Sequence, residues 1–229
     1  MIKKILSTIF FLKSNYSNNL LTLKDANFKN FNDDLEKLTG TKLELYFTLR
    51  CNEIFKIIQK FNIKTVIELG TGRSTYLFNC FNNIEVFSVE QNIEWMKKII
   101  FLLDKYQIKH NFTLANVIKL NKGAKFNNLP PLCPDLLYID GPYYPRPRKK
   151  FFNTFGTKPA YFDFETFFKK GCFPKIIMIE GRISTVEEIN KSEWSKNYFF
   201  QGSFVYNMKK KKYHECLRFK THSMFIRKF

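Results

Sequence analysis

Apolar positions along this chain switch repeatedly between a helical period and a strand period, and the switches lay out the elements. Leu45, Phe47, Leu49, Ile54, Phe55, Ile57 and Ile58 form one stripe of a helix predicted over Leu43 to Phe61. Thr65 to Leu69 is short, apolar and β-branched, as a strand covered on both faces should be. A helix over Ser74 to Phe81, an alternating strand over Ile84 to Glu90 and a second amphipathic helix over Ile93 to Tyr106 follow. Lys109 to Ala115 reads as a third strand, and a loop rich in Lys, Asn and Pro leads to a fourth at Asp135 to Asp140. After a helix around Phe164 to Lys170, Pro174 to Glu180 is the fifth strand, followed by a helix of about Thr185 to Ile189. Tyr198 to Met208 and Tyr213 to Phe219 then read as a hairpin whose tip is Lys209 to Lys212. Five alternating strand and helix units with a closing hairpin predict an α/β fold: a doubly wound, seven-stranded sheet, mostly parallel, with one antiparallel strand from the C-terminal hairpin.

Length supports one domain. Of the 229 residues, 1–42 read as a helical or irregular extension and 43–229 as a single domain large enough to bury a full core. The net charge of +18 raises nucleic acid or an anionic surface as a partner. Most of the Lys residues are scattered, however, and Lys, Asn, Ile and Phe are all abundant together, the mark of a nucleotide bias rather than of a binding surface. The clustered exceptions are Arg146, Arg148, Lys149 and Lys150, and the Lys209 to Lys212 run. Cys51, Cys80, Cys133, Cys172 and Cys216 are odd in number, widely spaced and without a C-x-x-C pair, so neither a zinc site nor a disulfide framework is expected. Ile5 to Leu12 is too short to span a bilayer and no small-x-small cleavage site follows it, so a cytoplasmic protein is expected.

The candidate chemistry lies where strands end. Val66-Ile67-Glu68-Leu69-Gly70-Thr71-Gly72-Arg73-Ser74-Thr75 runs from a buried strand through an acid into a glycine turn, where backbone can approach a ligand without an intervening Cβ. The third glycine of a dinucleotide fingerprint is absent, which weighs against NAD. Glu90 ends the second strand twenty residues after Gly70, and a carboxylate there suits a ribose diol. Asp140 and Glu180 end the next two long strands, and Asn116 lies just past the third. Each carboxylate at the end of an apolar strand must find a partner or a ligand.

The Glu68-Leu69-Gly70-Thr71-Gly72 run with Glu90 downstream resembles the first two motifs of the class I S-adenosylmethionine-dependent methyltransferases. The resemblance implies a Rossmann-like fold and S-adenosylmethionine as cofactor, held by Glu68, Gly70, Thr71, Gly72, Ser74, Thr75, Glu90, Asn116 and Asp140. Ile139-Asp140-Gly141-Pro142 and Ile179-Glu180-Gly181-Arg182 further resemble a bacterial group associated with polysaccharide and surface-glycan biosynthesis, with Glu180 in place of its usual Asp. On that reading Tyr143, Tyr144, Arg146 and Arg182 bind the acceptor, a small molecule or glycan methylated at oxygen or nitrogen. Asp140 is the candidate general base, with cofactor binding as its other role. The competing readings are a nucleic-acid methyltransferase using the basic surface, a metal-assisted O-methyltransferase lacking its Asp-Asn pair, and a non-catalytic Rossmann-like binding module. No metal is expected.

Overall fold

The computed structural model describes residues 26–42, 45–142, 160–180, 182–201 and 222–228. Its helices are α1 (Ala26–Thr39), α2 (Leu45–Lys60), α3 (Arg73–Asn79), α4 (Ile93–Lys105), α5 (Asp163–Phe168) and α6 (Ile183–Lys191). The strands are β1 (Thr65–Leu69), β2 (Glu85–Glu90), β3 (Phe112–Leu114), β4 (Val117–Leu120), β5 (Gly123–Phe126), β6 (Leu136–Ile139), β7 (Ala160–Tyr161), β8 (Ile176–Glu180), β9 (Tyr198–Gln201) and β10 (His222–Arg227).

Seven strands form the main sheet in the order β3-β2-β1-β6-β8-β10-β9. Only β10 runs against its neighbours, pairing antiparallel with both β8 and β9. This is the predicted doubly wound sheet with one reversed strand, the Rossmann-like plan of methyltransferases. The near-continuous apolar runs of its central strands have a direct cause, because both faces are covered. Val66, Leu136, Tyr138, Ile176 and Met178 pack on one side with α1 to α4, and Ile67, Leu69, Leu137, Ile139, Ile177 and Ile179 on the other with α5 and α6.

Three elements differ from the sequence expectation. Residues 26–39 form a full helix whose Phe28, Phe31 and Leu35, at helical spacing, are buried beside Tyr76 in the main core. The polar loop before β6 holds a second sheet of order β4-β5-β7, whose strands are too short and too rich in Lys to show a clear period. The strand that pairs with β9 is His222–Arg227, whereas the predicted partner at Tyr213 to Phe219 and the Lys209 to Lys212 tip lie outside the described residues.

The cysteine expectation is also corrected. Cys133, in the loop before β6, and Cys172, in the loop before β8, form a disulfide with Cα atoms 5.5 Å apart. Their 39-residue separation hid the pairing, because the loops meet only once β6 and β8 lie side by side.

Candidate functional site

The ends of β1, β2, β6 and β8 converge on one cleft of about 310 Å³, lined by Thr71, Gly72, Arg73, Ser74, Trp95, Asp140 and Glu180 together with Leu35, Thr41 and Lys42. Strand alternation puts Glu68, Tyr138, Asp140 and Glu180 on one face of the sheet, beneath α3. A larger cleft, about 640 Å³, opens at the opposite strand ends beside Lys64, Asn82, Asn83, Lys109 and His110. No strand-end acid reaches it.

The glycine turn is fixed from below and from both sides. Gly70 takes φ +87, a left-handed conformation natural to glycine, and its N–H donates to Val89 O at 2.9 Å. The turn after β6 crosses it through bare backbone: a Cβ on Gly70 would lie 2.6 Å from the Gly141 nitrogen, and one on Gly141 would lie 2.7 Å from the Gly70 Cα. Leu69 O accepts N–H bonds from both Asp140, at 2.9 Å, and Gly141, at 2.5 Å. Position 72 is different. A Cβ there would meet nothing within 4 Å, so the cleft side of the turn is open.

Glu68 is sealed at 0 % exposure beneath the turn. It accepts hydroxyl bonds from Ser74 at 2.5 Å, Thr75 at 2.8 Å and Ser88 at 2.8 Å, and Ser88 is its register partner on β2. Thr75 Oγ1 in turn accepts the Gly72 N–H at 2.8 Å. Burial raises the Glu68 carboxyl to about 8, outweighing the hydroxyls that pull it down. Its partners are thus the chain's own hydroxyls, and it holds the turn from underneath.

Glu90 is engaged in another way. Its Oε2 accepts the Thr71 N–H at 3.0 Å and hydroxyl at 2.9 Å, and its Oε1 accepts the N–H groups of Gln91 at 2.8 Å and Asn92 at 2.9 Å. A carboxylate offers about four acceptor sites, and these four donors match them. The Thr71 hydroxyl is the one donor of the four that a simple rotation removes. Trp95, which the sequence reading assigned to a core stripe, donates its indole N–H to Thr71 O at 2.8 Å. It enters the site because Asn92 caps α4 through the Trp95 N–H at 3.0 Å, placing the ring in the first helical turn.

Asp140 stands at the rim with its side chain 42 % exposed. Arg182 donates to the Asp140 carbonyl and lies 3.6 Å from its carboxylate, while its guanidinium stacks over the buried Tyr161 ring at 4.7 Å. The Arg182 side chain is only 10 % exposed. Glu180 accepts the Tyr138 hydroxyl at 2.6 Å.

Of the residues expected to hold a cofactor, Thr71, Gly72, Ser74 and Asp140 line the cleft, and Gly70 supports it by the backbone crossing. Glu68 and Thr75 lie beneath, both fully buried. Asn116 is exposed past β3, its carbonyl taking the Asn127 N–H at 2.9 Å, and it is not among the lining residues. Tyr143, Tyr144 and Arg146 lie outside the described residues. Sequence reasoning missed Lys42, Arg73 and Trp95. The available signal was position alone: Arg73 directly follows Gly72, and Trp95 opens the helix after Glu90. Among the described residues, no three His, Cys, Asp or Glu side chains gather as a metal site, and no helix is long and apolar enough to cross a membrane.

The chain matches no protein-family model and no curated protein. Among solved structures it is similar to a provisionally named caffeoyl-CoA O-methyltransferase from Staphylococcus aureus, at 11% identity and a TM-score of 0.56 over 97% of this chain and 100% of that one. A provisionally named O-methyltransferase from Klebsiella pneumoniae aligns at 10% identity and a TM-score of 0.48, over 77% of this chain and 82% of the other. The O-methyltransferase TomG from Streptomyces achromogenes, involved in tomaymycin synthesis and solved in complex with SAM, aligns at 8% identity and a TM-score of 0.47, over 93% and 95%. At such identities the likeness to the first is one of architecture: this chain has the Rossmann-like α/β fold of the Staphylococcus aureus protein.

Proposed function

We propose that this chain is an enzyme, an S-adenosylmethionine-dependent methyltransferase that moves a methyl group to an oxygen, or a nitrogen, of a small-molecule acceptor. The observation that carries the reading is the frame around Thr71, whose N–H and hydroxyl go to Glu90 and whose carbonyl goes to Trp95. Rotating the Thr71 hydroxyl away frees a Glu90 acceptor site for a sugar hydroxyl. The turn is open at Gly72, and the cleft volume is at the lower end of the roughly 300–1,000 Å³ usual for small ligands. These residues fit an adenosyl amino acid better than a dinucleotide, which needs a third glycine beneath a pyrophosphate.

S-adenosylmethionine supplies an electrophilic methyl group on a sulfonium centre. The chain's part is to orient the reactants and exclude water, which alone contributes much of the rate in such transfers. Asp140, held by Arg182 at both its carbonyl and its carboxylate, is the rim residue placed to orient an acceptor hydroxyl or take its proton. Arg182 therefore serves the acceptor through Asp140 rather than by direct contact. A glycan-type acceptor, handled by Tyr143, Tyr144 and Arg146, is the finer form of the proposal and rests on the Ile139 to Pro142 and Ile179 to Arg182 resemblance.

Calorimetric titration tests it. S-adenosylmethionine and S-adenosylhomocysteine should bind the native chain, and Glu90→Ala should weaken both by roughly tenfold to a hundredfold, the worth of charge-assisted hydrogen bonds. Binding of NAD without binding of either sulfur nucleoside defeats the proposal.

A further inference from the structure

Two cations line the cleft that no part of the sequence reading assigned. Lys42 is exposed on the segment following α1, and Arg73 opens α3 directly after Gly72. Arg73 donates to the Thr41 carbonyl, so the guanidinium ties the Thr41–Lys42 stretch to the glycine turn. Two carboxylates, Asp140 and Glu180, end the adjacent strands β6 and β8 and line the same cleft. The lining therefore carries both signs of charge in two separate pairs, each pair built by neighbouring elements.

We propose that Lys42 and Arg73 form the anion-binding end of a zwitterion site, taking the α-carboxylate of a bound amino-acid moiety, while Asp140 and Glu180 face its ammonium group. The inference rests on the S-adenosylmethionine reading and gives that ligand's amino-acid end a location. The Arg73–Thr41 bond does the positioning. It fixes the backbone from which Lys42 extends, so a flexible side chain starts from a defined point and loses less freedom on binding. A carboxylate held between a lysine and a guanidinium gains charge-assisted hydrogen bonds, with the ammonium at the other end satisfied by acids. Leu35 and Trp95 add apolar wall to the same cleft, which strengthens those charge interactions by limiting water.

The test separates the amino-acid end from the nucleoside end. S-adenosylhomocysteine and 5′-methylthioadenosine, which lacks the amino-acid carbons and their charges, are titrated by calorimetry into the native chain, Lys42→Met and Lys42→Arg. Lys42 is exposed, so its replacement leaves the core intact. Lys42→Met should weaken S-adenosylhomocysteine about tenfold, leave 5′-methylthioadenosine within about twofold, and be rescued by Lys42→Arg, because only a charge-assisted contact is removed. Equal weakening of both ligands, or of neither, overturns the proposal while leaving the cofactor reading standing. A native chain that binds neither ligand overturns both.

Discussion

Replacing Glu68 by Gln should make the protein more stable at neutral and mildly alkaline pH while loosening nothing in the shape of the turn. The carboxyl is fully buried, and burial raises it from 4.5 to about 8, with the nearby Asp140 charge adding to the rise and the Ser74, Thr75 and Ser88 hydroxyls opposing it. An acid with a raised folded-state value binds its proton more tightly when folded. Its contribution to stability is therefore full below about pH 4.5 and is lost progressively until about pH 8, at about 1.4 kcal/mol per pH unit. Between pH 5 and pH 7 the loss from this one group is about 3 kcal/mol. Asp163 acts with the same sign: burial raises it from 3.8 to about 7, and its Oδ1 accepts the Phe126 N–H at 2.8 Å. The native slope thus contains both acids, and the difference between native and Glu68→Gln isolates one. Gln keeps the length and plane of Glu, and the three surrounding hydroxyls are rotors that can turn to accept from its amide. Urea unfolding followed by circular dichroism at half-unit steps from pH 5 to pH 8 gives the two stability curves. The native curve should fall relative to the variant by about 3 kcal/mol from pH 5 to pH 7 and cross below it. Parallel curves, with Glu68→Gln displaced by a constant amount, would refute the reasoning, since Glu68 would then have the same proton affinity in both states.

Gly70→Ala should cost about 2–5 kcal/mol, the sum of a side chain forced into the left-handed region and a backbone collision with Gly141, whereas Gly72→Ala should stay within about 1 kcal/mol of native because nothing lies within 4 Å of the added carbon. Urea midpoints of the two variants decide it, and equal losses would contradict the crossing. Cys133→Ser should lower stability by about 2–4 kcal/mol, as expected for opening a covalent loop of 39 residues. Intact-mass measurement before and after reduction should show the native chain gaining two hydrogens, and no mass change would refute the pairing.

What the sequence disclosed depended on how far each feature depends on distant contacts. β1, β6 and β8 were legible because both of their faces are covered, so apolar side chains are needed at nearly every position. The two acids at the edges of the first motif were legible as well, but their partners were not. Nothing local says that Glu68 meets Ser88, because that contact exists only through the β1–β2 register. α1 shows Phe28, Phe31 and Leu35 at helical spacing, yet Asn and Lys on its other face dilute the signal. The small sheet was hidden for the opposite reason: β4 is half exposed and β7 is only two residues long, so pairing rather than pattern defines them. Trp95, Arg73 and Lys42 reach the cleft from a helix start, a turn and a connecting segment. Side chains in such places carry no periodicity that distinguishes a lining residue from an exposed one.

The crossing of Gly70 and Gly141 has a mechanical consequence. Elsewhere in the core two segments meet through side chains, which can change rotamer and absorb a displacement. Here main chain touches main chain, and both turns also hang from the same Leu69 carbonyl oxygen. With no compliant layer between them, the turn after β1 and the turn that begins the acceptor side move as a single piece. The distance between donor and acceptor is then set by the spacing of two neighbouring strands, which side-chain substitution around the cleft does not tune.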